Sequence, residues 1–167
     1  MKLRLLTILS FSVLVVSCTK NPITNRRQFK LLPEATLQSM AAGQYQQFLS
    51  ENKVVTSNTN RDAEMVRRVG QRITKAVTEY YTSIGREKDL EGYKWEYNLV
   101  DSKDVNAWCM PGGKIVVYTG LLPITQNEAA LAVVMGHEVS HALFSHGNER
   151  MSQGLVAMGI QEGLNIA

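Results

Sequence analysis

Histidine, cysteine and proline are scarce in this sequence: 3 His, 2 Cys and 4 Pro among 167 residues. Two cysteines, Cys18 and Cys109, are too few for a closed structural zinc site, which takes four ligands and usually several thiolates. A cysteine nucleophile needs a histidine partner, but every histidine lies in "GHEVSHALFSH", residues 136–146, in a different pattern. Cys109, between Trp108 and Met110, therefore reads as a small buried hydrophobe. Charge of one sign is also lacking: the formal excess is only +3. "NRR" at 25–27 is too short for a nucleic-acid patch. There is no internal repeat or low-complexity block. The one apolar run outside the folded part, Leu5–Val16, is well short of the ~20 residues that a spanning helix needs.

That run has a basic start, "MKLR", and is followed by Ser17 and Cys18. This is the layout of a secretory signal, with an uncleaved anchor as the alternative. "VVSC" resembles the lipobox of bacterial lipoproteins, in which the cysteine becomes the lipidated first residue. Residues 1–17 are then a signal peptide, and the charge left after Lys2 and Arg4 are removed is +1 (3 − 2). The expected location is the periplasmic side of a bacterial envelope, anchored by lipid at Cys18, at the outer membrane before the inner. Residues 18–33, with Pro22 and Pro33 among polar residues, read as a tether, and 34–167 as one α+β domain.

Within that domain, Leu37, Met40, Ala41, Tyr45, Phe48 and Leu49 recur at helical spacing. Asn60 is placed to cap a second helix from Arg61 to Ile84, with Asp62 and Glu64 in its first turn. Met65, Val69, Ile73, Val77 and Tyr80 form its stripe, and Gly85 ends it. The period then shortens. "YKWEYNLV", "VNAWCM" and "KIVVYT" read as strands around a "PGG" turn at 111–113. Their short connections predict a small antiparallel sheet. Thr125 and Glu128 match a capping box, which starts a helix near Gln126. "EAALAVVMGHEVSHALF" is apolar on nearly every side, which predicts an interior helix.

Two imidazoles and a carboxylate inside a buried helix are costly unless something satisfies them. His137 and His141 are one helical step of four apart, ~40° around the axis and ~6 Å along it. Both can reach one zinc ion. Glu138 is offset by ~100°, so it reads as the general base that takes a proton from a zinc-held water. His146 is ~140° from His141 if the helix continues, which makes it a surface or supporting residue. Glu149 is out of reach on a continuous helix. Glu162 is a candidate third ligand in an apolar, glycine-spaced stretch.

Three stretches together carry a family resemblance: "NPITNRRQF", "VNAWCMPGGKIVVYTGLL" and "NEAALAVVMGHEVSHALFSHGNERMS". The chain resembles the zinc metallopeptidases of the CAAX prenyl endopeptidase and the HtpX heat-shock protease, and most closely an exported lipoprotein branch. The resemblance implies His137 and His141 as zinc ligands and Glu138 as catalytic residue. It implies a third ligand, a glutamate in an E-x-x-x-D motif, downstream of residue 167. It also implies that Asn106, Ala107, Trp108 and Cys109 border the cleft and bind an extended peptide by strand addition. An ordinary core hairpin accounts for Trp108 equally well. The expected function is a zinc metalloendopeptidase acting on exported or misfolded polypeptides, in protein quality control. The alternative is a non-catalytic lipoprotein that grips unfolded chains along an edge strand, for which Glu138 would have no use. The first expectation to test is the anchor. Cys18→Ser should move the protein from the membrane to the soluble fraction in a high-salt wash; membrane association that persists there, with the signal uncleaved, would refute it.

Overall fold

The structure is a computed structural model that describes residues 18–56 and 60–166. The signal segment, 1–17, lies outside the described residues. In chain order the elements are strands β1 (Cys18–Lys20) and β2 (Arg27–Phe29), helix α1 (Glu34–Glu51), strand β3 (Val54–Val55) and helix α2 (Arg61–Ser83). They continue with strands β4 (Glu96–Val100), β5 (Ala107–Met110) and β6 (Lys114–Tyr118), the short helix α3 (Leu122–Thr125), α4 (Glu128–Leu143) and α5 (His146–Ile166). The class is α+β, as expected. Among the described residues no helix is long and apolar enough to cross a membrane. The chain forms two compact units, Ala35–Leu143 and the residues on either side of it.

The larger unit is built on a sheet of order β3-β4-β6-β5. This sheet is mixed, which corrects the antiparallel expectation. β5 pairs antiparallel with β6, and β3 with β4, but β4 and β6 run parallel. A short loop forces antiparallel pairing only when the strands it joins are neighbours. Loop 101–106 instead passes over the end of β6 and skips one strand position, a span of ~10 Å that a few extended residues cover. The crossing is tied down by backbone and hydroxyl. Gly120 N–H donates to Ser102 O at 2.8 Å, and Thr119 Oγ1 donates to the same carbonyl at 2.8 Å. β3 was not foreseen; its Val54 and Val55 pair with Val100 and Leu99.

β6 has a strand on each side and helices on both faces, which explains its near-continuous apolar run. On one face Val116 and Val100 pack with Tyr45 of α1, with Phe48, Trp108 and Tyr118 around them. On the other, Ile115, Val117, Leu99 and Ala107 meet Val66 and Val69 of α2 and Leu131, Met135 and Val139 of α4. Fully burying one such side chain stabilises the fold by about 1.5–3 kcal/mol. Lys114, also buried, donates to Glu96 Oε1 and to Lys94 O, each at 2.6 Å. Trp95, Tyr97 and Leu99 share a face as the alternation predicted.

α2 begins as predicted: Asn60 Oδ1 accepts from Asp62 N–H and Ala63 N–H. Of the expected stripe, Val69 is buried and Met65, Ile73 and Val77 pack against the core, but the buried side extends to Ala63, Val66, Gly70 and Thr74, and Tyr80 is 51% exposed. The small residues decide this. A Cβ on Gly70 would lie 2.2 Å from Tyr97 Cδ1, so glycine lets the helix sit against the ring.

In the smaller unit, residues 18–33 contain the β1–β2 hairpin where a tether was read. Buried polar groups hold it. Gln28 Nε2 donates to Phe144 O at 2.6 Å, Asn148 Nδ2 to Leu32 O at 2.8 Å, and Leu31 N–H to Ser152 Oγ at 2.9 Å.

Gly120→Ala tests the crossing. Its Cβ would lie 2.3 Å from Lys103 O and 2.6 Å from Asp104 O, backbone atoms that cannot step aside. Thermal unfolding should show a loss of about 1–3 kcal/mol or more. Gly43→Ala in α1 has no atom within 4 Å of the new Cβ and should be neutral or gain about 0.5–1 kcal/mol.

Candidate metal centre and catalytic base

The helix that carries the histidines, α4, is fixed at both ends. Its cap is Asn127, whose Oδ1 accepts from Ala130 N–H at 2.9 Å. The capping box read at Thr125 is not formed, because Thr125 closes α3 and its hydroxyl donates to Leu122 O. Glu128 instead pairs with Arg68 of α2 and lies 3.9 Å from Arg72. Arg68 holds the Glu128 carboxyl below its ordinary range. This contact therefore supports the fold above the carboxylate range and is lost as pH falls through the lowered value. At the other end, Tyr93 Oη donates to Ala142 O at 3.2 Å, with the Tyr93 ring 4.9 Å from Trp95. These groups were missed in the sequence. Asn127 carried a readable signal as a good N-cap residue, whereas Arg68 and Tyr93 are distant in sequence and gave none.

Leu131, Met135, Val139 and Ala142 of α4 are buried. The opposite side is open: Val133 is 73% exposed. The helix is thus covered on one face and is not the interior helix that its composition suggested. His137, four residues after Val133, is exposed; Glu138 and His141 are half-buried.

The two Nε2 atoms of His137 and His141 lie 3.0 Å apart, with ring centroids 4.5 Å apart and planes crossed at 83°. Two nitrogens each ~2.05 Å from one tetrahedral zinc ion are ~3.3 Å apart. The pair therefore fits a shared ion of this size. Among the described residues no group of three His, Cys, Asp or Glu completes a metal site.

β5 ends the sheet on the open side. Tyr118 N–H donates to Asn106 O at 3.0 Å, which makes that pair hydrogen-bonded and, by alternation, points Ala107 and Cys109 main-chain groups away from β6. Of the four residues expected at the cleft, Asn106 and Trp108 thus bond inward and Ala107 and Cys109 outward. The Trp108 side chain lies on the α1 face, 5.0 Å from the Phe48 ring. Cys109 is on the α4 side. Burial pushes its thiol up to about 12, and the Glu138 carboxylate adds to that shift. Burial therefore disfavours the thiolate, and β5 packs against α4, the helix that carries Glu138.

His146 opens a new helix. Ser145 has φ 54 and breaks the run after Leu143, so the continuous helix used to place His146 and Glu149 does not exist. Both belong to the smaller unit, where His146 lines a polar cleft of about 480 Å³ with Arg26, Glu149, Arg150 and Gln153. Arg26 pairs with Glu149. Glu162 is in α5 with its side chain outside the described residues.

A helix bearing H-E-x-x-H with both imidazoles converging and a carboxylate beside them defines the metallopeptidase class. The family described as Peptidase family M48 matches residues 67–164, and the chain belongs to that family. It is 30% identical over 150 residues to the mitochondrial metalloendopeptidase OMA1 of Arabidopsis thaliana, covering 84% of this chain and 30% of that protein. It is 27% identical over 77 residues to the metalloprotease YcaL of Escherichia coli, covering 46% of this chain and 30% of YcaL. It is 36% identical over 74 residues to the beta-barrel assembly-enhancing protease of Yersinia pestis, covering 42% and 15%.

If the histidines act as a pair, His137→Ala and His141→Ala should each abolish zinc binding, read by competition with a chromogenic chelator, while His146→Ala leaves it unchanged. Equal binding in all three variants would refute the pair.

Proposed function

We propose that this chain carries the zinc-binding helix of a metalloendopeptidase that cleaves polypeptides of the bacterial envelope, in protein quality control. The observation that carries the reading is the convergence of His137 Nε2 and His141 Nε2 at 3.0 Å with Glu138 on the next helical position. Membership of the M48 family and relatives named as metalloendopeptidases support it. A zinc ion there would acidify its water and polarise the scissile carbonyl. His137 and His141 would hold it, and a glutamate from an E-x-x-x-D motif, which residues 1–167 do not contain, would complete the ligand set.

Glu138 takes a proton from the attacking water and passes it to the leaving amine. The substrate lies extended along β5 and bonds to the outward main-chain groups of Ala107 and Cys109. Such bonds read no particular sequence, which suits an enzyme that acts on misfolded chains. Envelope location is supported by the signal-like start, the lipobox-like "VVSC", and likeness to a relative named for β-barrel assembly.

In the native protein Glu138→Gln should lower casein cleavage by roughly 10²–10⁴ and leave zinc content unchanged. Wild-type cleavage would remove Glu138 from the chemistry. Loss of zinc would make it a support of the metal site.

A further inference from the structure

The β1–β2 hairpin has two unlike faces. Its register pairs Cys18 with Phe29, Thr19 with Gln28, and Lys20 with Arg27. Side chains alternate along a strand. Gln28, 1% exposed, is turned into the smaller unit; Arg27 and Phe29, its neighbours on β2, therefore share the opposite face with Lys20. Lys20 and Arg27 are exposed and Phe29 is half-buried.

Like charges directly opposite on a two-stranded ribbon repel and weaken it. Among the described residues neither Lys20 nor Arg27 has an ion-pair partner, whereas the adjacent Arg26 is paired with Glu149. From Lys20 to Lys30 the chain has four cations and no Asp or Glu. An anionic surface laid against this face turns the repulsion into attraction. The ring of Phe29 adds apolar surface to the same face, of the kind that enters the headgroup boundary, and the backbone partner of Phe29 is Cys18, the residue proposed to carry lipid.

We propose that the Lys20–Arg27–Phe29 face of the hairpin docks on an anionic phospholipid bilayer. The proposal stands on register and charge and does not depend on lipidation or on the zinc chemistry.

The full chain carrying Cys18→Ser, which cannot be acylated there, is sedimented with vesicles of phosphatidylcholine and of phosphatidylcholine mixed with phosphatidylglycerol. The apolar Leu5–Val16 segment is common to all samples, so only differences are read. Partition should be stronger onto the phosphatidylglycerol vesicles, and high salt should remove the difference. K20Q/R27Q should weaken anionic binding by roughly thirtyfold, from about 1 kcal/mol for each charge near a surface. K20R/R27K, which keeps both charges, should bind like the parent and so separates lost charge from a damaged hairpin. K88Q/K103Q makes the same change in net charge on the larger unit and should leave binding unchanged. Equal binding to the two vesicle types would overturn the proposal. So would K20Q/R27Q binding like the parent, or an equal loss in K88Q/K103Q.

Discussion

The row Leu131, Met135, Val139 on α4, seated against Ile115, Val117 and Ala107 of the sheet, is the contact on which the candidate site depends. Residues four apart on a helix fall in one row. With one row locked in the core, the other rows have no freedom to choose where they point. His137 and His141 form a row of their own, so burying Leu131, Met135 and Val139 fixes the direction of both imidazoles. The pairing of Glu128 with Arg68 and the Tyr93 bond to Ala142 O hold the ends of the same helix. Metal geometry tolerates errors of a few tenths of an ångström, and a close-packed core supplies that stiffness.

The sheet adds the second constraint. β6 sits between β4 and β5, with no edge of its own. That leaves β5 as the outer strand on the side where Cys109 feels the charge of Glu138. A strand edge and the helix that carries Glu138 are thus brought together by one hairpin. The turn that makes the hairpin needs Gly112 and Gly113, at φ 80 and φ 84.

Much of this was legible in the residues because it is written locally. The cap at Asn60, the alternation of Trp95, Tyr97 and Leu99, the "PGG" turn and the H-E-x-x-H spacing each involve neighbours in sequence. What escaped is non-local. The parallel pairing of β4 and β6 depends on where loop 101–106 crosses, and no periodicity records a crossing. Composition made α4 look interior, yet a helix can be apolar on a side that the described residues do not cover, as Val133 is. Thr125 with Glu128 matched a cap pattern, but α3 takes Thr125 first and leaves the cap to Asn127. Prolines and polar residues suggested a tether at 18–33, whereas buried side-chain amides at Asn21 and Gln28 give that segment a fixed shape.

The crossing at Gly120 also bears on the order in which the sheet can close. β5 and β6 are joined by a tight turn and can zip together with little loss of chain entropy. Pairing β4 with β6 closes a longer stretch of chain and carries loop 101–106 across the strand end, where Gly120 N–H donates to Ser102 O. β3 can be added only once β4 is in place. Assembly is therefore biased to run from the β5 side toward β3. On loop length alone, the β5–β6 hairpin, which carries the open outer edge, is the part of the sheet that costs the least chain entropy to close.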